Sequence, residues 1–267
     1  MNTLYLVGLG ICDERDLPLK SVEALKKCDK IFAEKYTNII REGTIERIEK
    51  LVGKEIEILK REDVEGEKKI LDVCGKNKLV ALIVPGDAMS ATTHISLLQT
   101  ARKNGIETRI LHASSIITAA AGAAGLQIYK FGKTITIPYW KENYTPASFV
   151  DVIKENLEIG AHTLCLLDID EKMGGMKPSE AIEILKKAQQ KQIESGGIKK
   201  PVIGENAKIF VLFKVGWEDE KIWAGKIREY EMKGKSEPDG PAVIIICGKM
   251  HFTEEENWDG HLANPFF

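Results

Sequence analysis

The sequence predicts an α/β fold of two successive α/β domains, an N-terminal parallel sheet with flanking helices followed by a mixed sheet. Three observations carry that expectation. Residues 4–7, 30–33, 56–59, 80–84 and 108–111 read as strands, of which 4–7 is a short apolar strand and 80–84 an apolar, buried run. Between them lie apolar residues at helical spacing: Val22, Leu25 and Cys28; Ile45, Ile48 and Val52, ended by Gly53; residues 67–73; then Ile95, Leu97, Leu98 and Ala101, ended by Gly105. Such strict alternation calls for parallel strands, because each return must cross a face of the sheet. Past the fifth strand the alternation loosens, which sets the domains at 1–113 and 114–267.

The second domain opens on a helix of small residues at 118–125. Strands are expected at 133–138, 163–167, 209–215 and 243–247, with some antiparallel pairing. Phe149, Ile153 and Leu157 share a helix face, and Pro178-Ser179-Glu180 opens a helix along Ile182, Leu185 and Ala188. A further helix is expected over 223–230. The stretches 190–206 and 232–239 read as surface loops, and the tail after His251 shows no periodicity.

Composition narrows the function classes. Of 267 residues, 43% are apolar and 29% charged, and the formal net charge of −2 provides no global field for nucleic acid or an anionic membrane. No apolar run reaches the roughly 18 residues of a membrane span. The N-terminal residues lack a basic segment and a long apolar core, so the expected location is cytoplasmic. Five cysteines and five histidines are scattered without ligand spacing, so no metal site is expected and the cysteines read as free thiols.

Chemistry concentrates at strand ends. Strand 80–84 stops at Pro85-Gly86, and Asp87, Ser90, Thr92, Thr93 and His94 follow. Ligands of open α/β sheets sit outside the carboxyl ends of strands, so this loop can hold the polar groups of a small ligand. Equally, Ser90 or Thr92 can cap the following helix, with Asp87 as a turn residue. Strand 4–7 runs into Gly8-Leu9-Gly10, where a dinucleotide fingerprint would need a third glycine; Asp13 stands in its place. Glu34, 24 residues past Gly10, has the spacing of a ribose-binding acid, which leaves a nicotinamide-dependent oxidoreductase open. His112-Ala113-Ser114-Ser115-Ile116 follows the fifth strand.

Several stretches together extend this reading: residues 4–16, 28–37, 61–65, 85–94 (Pro-Gly-Asp-Ala-Met-Ser-Ala-Thr-Thr-His), 125–132 (Gly-Leu-Gln-Ile-Tyr-Lys-Phe-Gly) and 162–169 (His-Thr-Leu-Cys-Leu-Leu-Asp-Ile). In order and spacing, from residue 3 to about 251, the chain resembles the tetrapyrrole-methylase-like (class III) family of S-adenosylmethionine-dependent methyltransferases, and within it the members that act in diphthamide biosynthesis. The resemblance implies two α/β domains with the cofactor in the cleft between them, and a homodimer. It implies methyl transfer from S-adenosyl-L-methionine, leaving S-adenosyl-L-homocysteine, to the amino group on the modified histidine of elongation factor 2. Tyr139-Trp140 and residues 162–169 look more like the eukaryotic members, which transfer four methyl groups and end at a methyl ester. Archaeal members stop at the trimethylammonium product.

Matching positions imply cofactor contacts at Ile11, Asp87, Ser90, Ser115, Ile116 and Leu167, and towards the cofactor's other end at Val215 and Ala242. The family often carries a histidine near Ala242, whose absence here leaves a main-chain contact. Methyl transfer needs alignment and exclusion of water more than a dedicated side chain, and no catalytic acid or base is assigned; His94, opening a helix, reads as structural. Three rivals are a methylase acting on a tetrapyrrole, the nicotinamide enzyme and a non-catalytic interaction protein. Trp140, Trp217 and Trp223 offer material for a subunit interface, and the Lys-rich segments 186–200 and 226–235 for a rim that grips the protein substrate.

Overall fold

The computed structural model describes residues 2–36, 38–76, 79–170, 173–232 and 237–263. They form two compact units, Met1–Ile116 and Ile117–Phe267.

In the first unit, β1 (Thr3–Gly8), α1 (Leu19–Lys27), β2 (Lys30–Glu34), α2 (Thr44–Val52), β3 (Ile56–Leu59), α3 (Arg61–Glu65), α4 (Lys68–Lys76), β4 (Leu79–Val84), α5 (Ile95–Lys103) and β5 (Glu107–Leu111) follow in order. The strands make one parallel sheet, β3-β2-β4-β1-β5. The central strands β1, β2 and β4 are buried on both faces, which explains their apolar runs, whereas the edge strands β3 and β5 are partly exposed and carry Glu57, Glu107 and Arg109. Leu4, Leu6, Val80, Leu82 and Val84 face α4 and α5 residues such as Ile70, Leu97 and Leu98. Val7, Ile31, Ala33, Ala81 and Ile83 face Leu25, Ile45 and Ile48 of α1 and α2. The charged stretch after β1 forms a short 3-10 turn, Glu14–Asp16, capped by the Asp13 side chain.

The second unit contains β6 (Ile135–Ile137), α7 (Phe149–Glu158), β7 (Thr163–Leu167), the two-residue β8 (Ile169–Asp170) and β9 (Gly174–Gly175), α8 (Pro178–Glu194), β10 (Lys208–Phe213), β11 (Lys221–Lys226), α9 (Ile227–Met232), β12 (Ala242–Ile246) and α10 (Phe252–Ala263). The small-residue helix α6 (Ile116–Ala123) leads into it. Its sheet runs β11-β10-β12-β7-β6, antiparallel except between β6 and β7.

Three expectations change here. Residues 223–230 are not one helix: Trp223 lies in β11, paired with Val211 of β10, and the helix begins only at Ile227. Its large ring, 3% exposed, fills the core, so Trp223 offers nothing to a subunit interface. The segment expected as a loop from 190 is helical to Glu194, where Lys191 donates to the Thr145 carbonyl at 2.8 Å. The tail after His251 forms α10, whose Trp258 meets Phe210 edge-on at 5.0 Å. The loop expected over 232–239 lies partly outside the described residues, as does the segment 226–235. All five cysteines are free thiols. Among the described residues no helix is long and apolar enough to cross a membrane.

Candidate functional site

The first unit gathers its polar loops because β4, β1 and β5 are neighbours and parallel, so their carboxyl ends lie side by side. The loops after β1 and β4 then bond to each other directly. Gly10 and Gly86 exchange backbone hydrogen bonds of 3.1 and 2.8 Å, and the Leu9 amide donates to Val84 at 2.8 Å. Gly8 sits where no side chain fits: a Cβ would stand 2.8 Å from the Gly86 carbonyl oxygen and 2.9 Å from the Ala113 Cβ. Three loops therefore close backbone against backbone around one glycine.

Asp87 ties this arrangement together. It is 8% exposed, and its Oδ1 accepts from the Met89 amide at 2.9 Å and the Ser90 hydroxyl at 3.4 Å. Its Oδ2 accepts from His112 Nδ1 at 2.8 Å and the Ala113 amide at 3.1 Å. Burial pushes the carboxyl upward, but the Met89 amide, the His112 ring and the Ala113 amide outweigh it and hold the group below its usual value. The ionised carboxylate thus joins the loop after β4 to the loop after β5. Ser115 is buried and Ile11, Ser90 and Ile116 are half-buried on the same set of strand-end loops. Ala91 adopts φ +56, a left-handed conformation that a residue with a Cβ seldom takes.

Asp13, which stands against the dinucleotide reading, and Glu34, which left it open, are both engaged elsewhere. Asp13 accepts from Arg15 at 3.0 and 2.8 Å and from Arg41 at 3.3 Å; the Arg15 guanidinium, against the opposing effect of burial, holds its carboxyl well below the usual range. Glu34 is buried against His94 at 3.0 Å and presents no carboxylate to a ribose. Sequence reasoning passed over His112, although it directly precedes the Ala-Ser-Ser run; its partner Asp87, 25 residues away, is visible only in the fold.

In the second unit, Leu167, Val215 and Ala242 come together at one end of the sheet. Ala242 opens β12 opposite Phe213, next to the Val243–Leu166 pair, and the Lys214 amide donates to the Pro241 carbonyl at 2.8 Å. Leu167 thus ends β7 beside the start of β12, and Val215 follows β10 at the same end. Asp168 accepts from the Tyr139 and Ile169 amides, both at 2.9 Å, and closes β7 structurally.

The strand-end loops of the first unit offer hydroxyls from Ser90 and Ser115, closely packed main chain around Gly8, and apolar side chains from Ile11 and Ile116. Those groups suit a ligand with amino, carboxylate and hydroxyl groups beside a flat aromatic ring, and S-adenosylmethionine is such a ligand.

Comparison with known proteins shows what the chain as a whole is similar to. A family model of tetrapyrrole (corrin/porphyrin) methylases matches residues 3–231. A diphthine synthase of Methanococcus vannielii is 43% identical over 254 residues, covering 95% of this chain and 96% of that protein. One from Methanocaldococcus jannaschii is 41% identical over 256 residues, covering 95% and 96%. A crystal structure of diphthine synthase matches with a TM-score of 0.82 at 29% identity, covering 97% of this chain and 95% of that one.

Proposed function

The chain belongs to the tetrapyrrole (corrin/porphyrin) methylase family, and from that premise we propose that it methylates the amino group of the modified histidine of elongation factor 2. It is an S-adenosylmethionine-dependent methyltransferase of the diphthine synthase type. The observation that carries the finer reading is identity of 41–43% to diphthine synthases over 95% of the chain.

We assign the cofactor contacts to Ile11, Asp87, Ser90, Ser115 and Ile116 in the first unit and to Leu167, Val215 and Ala242 in the second. When bound, S-adenosylmethionine supplies a methyl group activated by its sulfonium. Asp87 fixes the loops after β4 and β5 so that Ser90 and Ser115 meet the ligand in one geometry. Ile11 and Ile116 exclude water from its apolar parts. The acceptor amine needs to arrive deprotonated, and solvent suffices to take its proton, so no residue is assigned as base. Pre-organised loops lower the barrier by alignment.

The three-methyl, trimethylammonium product is the outcome this reading favours, because the archaeal relatives are 41–43% identical, against 31% for a putative diphthine synthase structure from Entamoeba histolytica matched over a similar length. The four-transfer outcome suggested by Tyr139-Trp140 and residues 162–169 ends instead at a methyl ester. Mass spectrometry of an elongation factor bearing the unmethylated arm, incubated with S-adenosylmethionine, counts the methyl groups. Three added groups support the reading, and a fourth, removable by mild base, replaces it with the ester-forming one. Methylation of a tetrapyrrole but not of the factor overturns the substrate assignment. The reading further places the protein in the cytoplasm as a homodimer; a concentration-independent monomer mass in sedimentation contradicts the dimer.

A further inference from the structure

Beneath the loop after β4 lies a buried charged pair that the reaction itself does not use. His94 is 4% exposed and Glu34 1%. His94 Nε2 stands 3.0 Å from Glu34 Oε2, and Nδ1 stands 3.3 Å from the Ala88 carbonyl oxygen. A carbonyl oxygen only accepts, so Nδ1 carries a proton. The Tyr36 hydroxyl also bonds Glu34. The Glu34 carboxyl group is therefore bonded from two sides, and the ring is held at both nitrogens, donating from both when it is protonated. The titratable groups facing His94 are Glu34 of β2 and, through it, Tyr36, which is flanked in turn by Arg61 and Glu65 of α3.

The consequence falls on one peptide plane. The Ala88 carbonyl accepts from His94 and, at 3.2 Å, from the Thr92 hydroxyl. The amide at the other end of that peptide, Met89 N–H, donates to Asp87 at 2.9 Å. The Ala88–Met89 peptide is thus clamped at both ends, directly before Ser90 and the strained Ala91. A buried ion pair is a poor device for stability alone, since apolar residues of similar volume in its place are often neutral or stabilising. A fixed direction for one carbonyl is something that apolar residues cannot supply.

We propose that His94, paired with Glu34, is a positioning residue that orients the Ala88–Met89 peptide and so sets the loop on which Ser90 meets the methyl donor. The inference rests on the reading that this loop contacts S-adenosylmethionine, and its test separates the two.

Thermal unfolding, calorimetric binding of S-adenosylhomocysteine, and amide hydrogen exchange at residues 89–91 are compared for the wild type, His94→Gln and the double variant Glu34→Leu/His94→Leu. His94→Gln keeps a donor for one acceptor but not both. It is expected to unfold at lower temperature, bind about tenfold more weakly and exchange faster at 89–91. The double variant removes both charges. It is expected to regain wild-type unfolding temperature while keeping the weak binding and fast exchange. If stability, affinity and exchange all return to wild-type values, His94 is a core residue and the proposal is wrong. If His94→Gln binds and exchanges like the wild type, it is equally wrong, even where the double variant does not fold. If the wild type itself does not bind S-adenosylhomocysteine, the cofactor reading fails, and exchange in the ligand-free protein still decides the positioning claim.

Discussion

Asp87 Oδ2 and His112 Nδ1 meet at 2.8 Å and bridge the loops that follow β4 and β5. Strand β1 lies between those two strands, so the bond spans the place where Gly8 ends β1. The Asp87 carboxylate has four donors of its own unit around it and joins the loops proposed to hold the cofactor.

Asp87→Ala therefore removes a tie between loops as well as a charge. It is expected to weaken S-adenosylhomocysteine binding by about 1.5–3 kcal/mol, the range for hydrogen bonds to charged groups. Calorimetry checks this, and unchanged affinity removes Asp87 from the site. His112→Ala, which deletes one of the four donors, should cost less.

Gly8→Ala places a methyl group within 3 Å of the Gly86 carbonyl and the Ala113 Cβ. Backbone has to move to accept it, and overpacking of this kind costs about 1–3 kcal/mol. Denaturant unfolding measures that cost. Because the displaced segments are the proposed cofactor loops, affinity for S-adenosylhomocysteine should fall in the same variant.

The His94–Glu34 pair has a definite pH signature. Burial disfavours the charged ring, but the bond to Glu34 and its charge outweigh burial and raise the group above its ordinary value. A raised pKa stabilises most below the ordinary histidine value of about 6.5, and the contribution is lost as pH rises through the folded value. The unfolding temperature of the wild type, measured relative to Glu34→Leu/His94→Leu, should therefore decline as the solution is made alkaline. A difference that stays constant with pH contradicts the assignment of charge.

Glu254 gives the opposite sign in the second unit. It accepts from the Gln127 and His251 amides at 2.9 and 2.7 Å and from Lys130 at 2.6 Å. Burial pushes its carboxyl up, yet the His251 amide, Lys130 and the Gln127 amide together hold it down at about 2. Its stabilisation is present above the ordinary carboxyl value and is lost as pH falls towards 2. Glu254→Gln should destabilise the unit by about 1–3 kcal/mol at neutral pH, because Lys130, partly exposed and also bonded to the Lys249 carbonyl, loses its counter-charge. The fluorescence of Trp258 on α10 is a suitable readout.

The first unit was legible because its chemistry is local. The central strands β1, β2 and β4 are apolar on both faces, each loop follows a strand end, and glycines mark the turns. Trp223 shows where local reading stops: an aromatic residue near Ile227 and Tyr230 fits a helical face, and only pairing with Val211 makes it a strand. The tail after His251 was missed for a related reason. Helix α10 is held by a few long-range anchors, Glu254 and Trp258, rather than by a periodic apolar face. At the candidate site the loops were visible, but the partners that fix them were not. Asp87 to His112 and Glu34 to His94 are pairings across 25 and 60 residues, which no local pattern encodes.

Hydrogen exchange with and without S-adenosylhomocysteine tests the central claim most directly, that the strand-end loops of the first unit hold the methyl donor. Saturating ligand should slow exchange at residues 10–12, 87–91 and 113–116, and NAD at the same concentration should leave those amides unchanged. Protection by NAD at these loops, or protection by S-adenosylhomocysteine confined to other segments, contradicts the account.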